Sequence, residues 1–124
     1  MALQKRISVV FYRQQPSGKE PVRDWLRELT VEERKIVGAD IKAVEYRWPL
    51  GLPLVRPMDN KLWEIRSHLP TTIARVFFTI VAGRLLVLLH VFIKKTQATP
   101  PKELDIAKRR RDDVHKKGGI NYGQ

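Results

Sequence analysis

From Lys61 to Lys94 apolar and polar positions alternate in three successive runs, Lys61–Ser67, Thr72–Val81 and Leu85–Lys94. That spacing predicts three consecutive strands. The residues Ala82-Gly83-Arg84 leave room only for a tight turn, so the last two strands are antiparallel neighbours. Upstream, the β-branched and aromatic run Ile7–Tyr12 predicts an opening strand, followed by a loop over Gln14–Gly18. Pro21 suits the first turn of a short helix, and Val22, Trp25, Leu26 and Leu29 fall on one helical face. Thr30 and Glu33 have the spacing of a capping box and start a second helix. Its stripe is Val37, Ile41, Val44 and Trp48, and Pro49 ends it. Gly51–Asn60 holds Pro53 and Pro57 and is expected to be irregular. After Thr99-Pro100-Pro101, a final helix over Lys102–Lys116 carries Leu104, Ala107, Arg111 and Val114 along one side, and Gly118-Gly119 stops it.

The order β-α-α-β-β-β-α predicts an α+β domain, an antiparallel sheet with an N-terminal helical hairpin and a C-terminal helix. Residues 1–117 are expected to form that single domain, with 118–124 as a tail. The apolar stripes of the two hairpin helices read as core. Strand alternation sorts the remaining side chains. Leu85, Val87, Leu89, Val91 and Ile93 are expected under the hairpin with Trp63, Ile65, Val76 and Phe78. Arg66, Arg75, Phe77, His90, Phe92 and Lys94 are then left together on the opposite face.

The 124 residues suffice for one core, and 43% apolar with 30% charged residues is a globular mix. No cysteine is present, which excludes a disulfide framework and thiolate metal sites and suits a reducing compartment. No apolar run is long enough for a membrane span, and the N-terminus lacks a signal-peptide pattern, so a cytoplasmic protein is expected. Charge changes the picture most. Residues 1–55 carry 10 basic and 7 acidic groups, whereas residues 56–124 carry 14 and 6. A net +11 concentrated in the second half points to a polyanionic partner.

A sheet face bearing three cations, an imidazole and two aromatic rings is the chemistry of single-stranded RNA binding. Rings stack on unpaired bases while cations hold phosphates. Each residue also has a plainer use. Arg66 has Glu64 and Asp59 as candidate ion-pair partners, and His90 suits an ordinary half-buried position. Phe77 and Phe92 suit the core beneath the last helix, Lys94 and Lys95 the solvation of a strand end. Lys108-Arg109-Arg110-Arg111 reads equally as a solvated helix face or a phosphate track. What favours RNA is their coincidence on one face.

LWEIR (Leu62–Arg66), ARVFF (Ala74–Phe78) and LLHVFIKKTQATPPKEL (Leu88–Leu104) resemble the phage-derived, HigB-like branch of the RelE/ParE toxin superfamily. The F-x-K-K-T-x-x-x-P stretch from Phe92 to Pro100 is the most specific part. The resemblance implies a RelE-like small domain acting as the toxin of a type II toxin–antitoxin pair. It implies an endoribonuclease, an mRNA interferase that meets messages at the ribosome and blocks translation. A cognate antitoxin, in this branch a HigA-like helix-turn-helix protein, is the expected partner; no cofactor, metal, membrane or small-molecule ligand is implied. By position, Arg66, Arg75, Lys94 and Lys95 correspond to the family's basic positions; with His90, whose imidazole suits proton transfer near neutrality, Arg66, Arg75 and Lys94 are the candidate catalytic residues. Phe77, Phe92, Lys95, Lys108 and Arg109 are the candidate RNA-binding residues. Family members often carry a tyrosine in the aromatic pair, where this chain has Phe77-Phe78. Two other readings of the fold stand beside this one: inhibition of DNA gyrase, as in ParE-like relatives, and RNA binding without cleavage.

Overall fold

The computed structural model describes residues 7–94 and 99–117. The side chain of Lys94, the whole of Lys95 and the expected tail at 118–124 lie outside the described residues. In chain order the elements are β1 (Ser8–Phe11), α1 (Pro21–Arg27), α2 (Val31–Arg47), β2 (Val55–Asp59), β3 (Leu62–His68), β4 (Ile73–Val81), β5 (Leu85–Lys94) and α3 (Pro101–Lys116). This is the expected α+β class with one strand more than the sequence pattern gave.

The five strands form one sheet in the order β1-β5-β4-β3-β2. It is mixed, not purely antiparallel, because β1 pairs β5 in parallel, Ser8 opposite Leu85 through Phe11 opposite Leu88. The two hairpin helices supply the long crossover that such a chain direction requires. The added strand, β2, falls in the stretch expected to be irregular. Its Pro57 is tolerated because β2 is an edge strand.

Local chemistry explains the helix ends. Thr30 Oγ1 accepts from the Glu33 N–H at 3.1 Å, and Glu33 Oε1 accepts from the Thr30 N–H at 3.0 Å. Both halves of the capping box are therefore made. At the β4–β5 turn, Ala82 and Gly83 both have positive φ, 54° and 66°. Glycine adopts that geometry freely and alanine does not.

Both sheet faces are buried. The hairpin side packs Val22, Val37, Ile41 and Val44 on Ile65, Val76, Phe78, Leu86, Leu88 and Val91. Trp48 seals its end, edge-on to Trp63 at 5.0 Å and to Phe78 at 5.5 Å. The other side packs Ala107 and Val114 of α3 on Leu62, Phe77, Val87 and Leu89.

The aliphatic set expected under the hairpin is thus split, and a β-bulge is the reason. Phe77 pairs with His90 but Phe78 with Leu88, which leaves Leu89 as an extra residue in β5. The bulge restarts the alternation. Leu85, Val87 and Leu89 face α3, as do His90 and Phe92 beyond the bulge, while Leu86, Leu88 and Val91 face the hairpin.

Candidate nucleic-acid interface

The α3 side of the sheet gathers the candidate residues in two rows across the strands. In one, Arg66 on β3 is directly opposite Arg75 on β4, which is opposite Phe92 on β5. In the other, Arg56 on β2 opposes Glu64, then Phe77, then His90. Two arginines placed directly across a strand pair repel each other. Glu64, the acid between them and the β2 edge, is wholly buried and binds Arg75 Nη1 through Oε1 at 2.5 Å. The carboxylate thus offsets one guanidinium and leaves the other.

Arg66, half-buried, has no ion-pair partner among the described residues, and its Nε is buried without a hydrogen bond. The plainer reading that paired it with Glu64 or Asp59 is not realised. Glu64 is taken by Arg75, and Asp59 by Arg111 of α3. Glu64 Oε2 and Arg75 Nε also lack partners. Two donors and one acceptor on these three neighbouring side chains are left unmet, a costly arrangement that an incoming polar ligand or water would relieve.

Arg75 is only 2% exposed, so its guanidinium is a buried group held by Glu64 and not a surface clamp. Phe77 is likewise fully buried, which does not fit a stacking role against an incoming base. Its ring begins a stacked column, with His90 at 6.4 Å and Phe92 at 5.8 Å. Phe92, half-buried, is the ring of this column that solvent reaches alongside the imidazole.

His90 is fixed by α3. Its Nε2 lies 3.0 Å from Glu103 Oε1, and its Nδ1 lies 3.4 Å from Arg110 Nη1. Arginine only donates, so Nδ1 must accept and Nε2 must carry the proton that Glu103 receives. Burial lowers the imidazole's pKa below its ordinary value, outweighing Glu103, which acts the other way. A neutral, single-tautomer histidine results, able to take up a proton at Nδ1 once Arg110 withdraws. Arg110 itself donates to the Leu89 carbonyl at 2.8 Å, filling the acceptor that the bulge removes from the ladder, and lies over the Tyr12 ring at 5.4 Å.

The rest of the basic run on α3 divides by role. Arg111 ties the helix to the β2–β3 turn, donating to Asp59 Oδ2 and, at 2.8 Å, to the Asn60 carbonyl. That bond holds the Asp59 carboxyl below its ordinary pKa. Lys108 and Arg109 lie on the solvent side, lining an open groove of about 540 Å³ with Lys102, Asp105, Ile106 and Asp112. They are therefore set apart from the sheet rows. Farther along, His115 Nε2 is 2.8 Å from the Thr79 hydroxyl, which donates to the Lys61 carbonyl. The Thr79 oxygen therefore accepts from His115 Nε2–H.

Among the described residues no three His, Asp or Glu side chains converge as metal ligands, and no helix is long and apolar enough to cross a membrane. Sequence reasoning missed Arg56, Glu103 and Arg110 as neighbours of the site. Arg56 was hidden in a proline-bearing segment. Glu103 and Arg110 are seven apart on α3, a helical spacing that puts them over one face, but nothing in the sequence set the helix over His90.

Fold and site together define a small α+β protein with an arginine-rich, aromatic-lined sheet face half covered by its last helix. The chain belongs to the family described as "Phage derived protein Gp49-like (DUF891)", which matches residues 24–112, from within α1 to most of α3. No curated protein matches it.

Proposed function

We propose that this chain is the toxin of a type II toxin–antitoxin pair and acts as a metal-independent mRNA interferase. One observation carries the reading: two arginines face each other across β3 and β4, and only one has a carboxylate. A face built with such an excess of positive charge is stabilised by an anion, and it sits beside an imidazole and a reachable aromatic ring.

The chemistry follows from RNA's own nucleophile. The 2′-hydroxyl attacks the adjacent phosphorus and loses its proton to a base. The 5′-oxygen leaves and takes up a proton, giving a 2′,3′-cyclic phosphate and a 5′-hydroxyl end. Arg66 contacts the phosphate and stabilises the charge that builds on its oxygens, the largest contribution to catalysis in such sites. Arg75, locked by Glu64, ties β4 to β3 beneath Arg66 and does not contact the phosphate. Neutral His90 receives or returns the proton, with Glu103 stabilising the imidazolium that forms. Phe92 stacks on a flanking base. Lys94 and Lys95, which follow Ile93 in the chain, are further cations for the phosphates. The antitoxin, a helix-turn-helix protein of complementary charge, restrains the toxin until it is removed.

The test is expression in cells with and without the neighbouring gene, with transcript 5′ ends mapped. Cleaved messages and a rapid halt in translation are expected, both abolished in Arg66→Ala. Intact messages with a DNA-damage response would instead favour gyrase inhibition, and unimpaired growth a non-cleaving RNA-binding module.

A further inference from the structure

We infer that Arg56 and Arg66 form a two-point grip for successive phosphates of a single RNA strand, with Arg56 holding the phosphate next to the reacting one. This deepens the function proposed above and rests on its nucleic-acid reading of the face.

The assignment comes from asking what each arginine near this face is already doing. Arg75 binds Glu64, Arg110 binds the Leu89 carbonyl, and Arg111 binds Asp59, Asp112 and the Asn60 carbonyl. Arg56 and Arg66 have no such partner among the described residues, and Arg56 is exposed. Register puts them together. Arg56 is opposite Glu64, and Arg66 is two residues beyond Glu64 on the same face. Such diagonal neighbours lie ~7–8 Å apart, within reach of one another for side chains as long as arginine's. Glu64, the buried carboxylate directly opposite Arg56, is bound to Arg75 and makes no ion pair with Arg56.

The competing use of Arg56 is to protect a sheet edge from pairing with another chain. That protection exists without it. The Val55 N–H is taken by the Gly51 carbonyl at 3.1 Å, and Pro57 has no N–H to offer. The other edge is closed too, since Glu45 accepts from the Val9 N–H at 3.0 Å. Arg56 is therefore free to serve the face and not the edge. An acidic protein segment would satisfy the two guanidiniums, but it would make no use of the Phe92 ring, which lies on β5, one strand beyond β4 on the same face. A strand of RNA uses both.

The experiment measures binding of the intact chain to a labelled, 2′-O-methylated single-stranded RNA, which cannot be cleaved, across a series of salt concentrations. Each phosphate contact on a single strand contributes about 0.7 to the slope of log affinity against log salt. Arg56→Ala should lower that slope by about 0.7, weaken binding alike on unrelated sequences, and leave the circular dichroism spectrum unchanged. Arg23→Ala, an exposed helix arginine that pairs with Glu20, should change neither slope nor affinity. An Arg56→Ala slope equal to the parent's overturns the grip, as does parent binding that is tighter to duplex DNA than to RNA. If the slope falls as expected but cells show uncleaved messages, the grip stands and the interferase reading fails. If messages are cleaved while Arg56→Ala binds and cleaves like the parent, the grip alone fails.

Discussion

The buried pair between Glu64 and Arg75 makes a prediction that bears on every functional test of this face. Their side chains are 0% and 3% exposed, so removing either leaves its partner charged and cut off from water. Attraction between two such charges is ~4 kcal/mol at 4 Å for an effective dielectric near 20. The cost of desolvating each ion is several kcal/mol, so the intact pair contributes little net stability. Losing one member is different: Arg75→Met or Glu64→Leu should each destabilise by ~3–5 kcal/mol. The double variant replaces both charges with apolar groups and also removes the unpartnered Glu64 Oε2 and Arg75 Nε. It should therefore recover most of the loss, to within ~1 kcal/mol of the parent or beyond it. Urea denaturation followed by tryptophan fluorescence gives all four corners of the cycle. Single variants costing under ~1 kcal/mol, or a double variant whose loss is the sum of the two, would falsify this account of the buried pair. A domain of this size has only ~5–15 kcal/mol in hand, so non-toxic Arg75→Ala need not be a catalytic defect. The double variant, folded but lacking the pair, is the sounder functional probe.

Other expectations follow from single contacts. Leu89 is wholly buried at the bulge beneath α3, so Leu89→Ala should cost ~2–5 kcal/mol by denaturation, and a loss below ~1 kcal/mol would remove it from that core. Thr30→Ala deletes the acceptor for the Glu33 N–H and should cost about 1 kcal/mol, whereas Thr30→Ser should cost much less. Burial lowers the pKa of both His90 and His115 below the ordinary 6.5. The unfolded chain then binds more protons between the folded and unfolded pKa values, so stability is full above about pH 6.5 and falls as pH drops through the folded values. Denaturation midpoints from pH 7.5 to about 5 should decline in the parent and decline less in His90→Gln/His115→Gln. Parallel profiles would mean that neither histidine is held neutral.

What the sequence disclosed and what it hid divide along physical lines. Both halves of the α2 capping box, the β4–β5 turn and the limits of β5 are local events, decided by residues within a few positions of one another. They were legible for that reason. The bulge at Leu89 was not: alternation runs unbroken through Leu85, Val87, Leu89, Val91 and Ile93, and only the pairing of Phe77 with His90 breaks it. Because both faces of the sheet are covered, apolar residues on either side of the bulge carry no mark of which layer they join. β2 was obscured by Pro57, which forbids a central strand but not an edge. At the site, the grouping of Arg66, Arg75, His90 and Phe92 on one side could be read from alternation. Their depth could not, since nothing local fixes how far α3 lies over them. Arg75 and Phe77 are therefore buried where exposed groups were expected.

That burial bears on how the face is organised. α3 reaches the sheet through polar ties at four places: Glu103 with Arg110 at His90, Tyr12 with Asp113, Arg111 with Asp59, and His115 with Thr79. Four of the α3 residues in those ties, Glu103, Arg110, Arg111 and Asp113, are charged. The same helix that shields Phe77 and Leu89 therefore also fixes the tautomer of His90. In the function proposed above, Arg56 on the β2 edge and Arg66 on β3 are the first contacts of a nucleic-acid strand. Retreat of the Arg110 guanidinium uncovers the Nδ1 acceptor of His90, and its bond to that ring, at 3.4 Å, is longer and weaker than its 2.8 Å bond to the Leu89 carbonyl. Under the function proposed above, binding then needs no movement of the helix, whereas proton transfer does. Arg110→Met should accordingly raise the accessibility of His90 to diethyl pyrocarbonate without altering the salt dependence of RNA binding. A change in that dependence instead would put Arg110 on the phosphate path and collapse the separation.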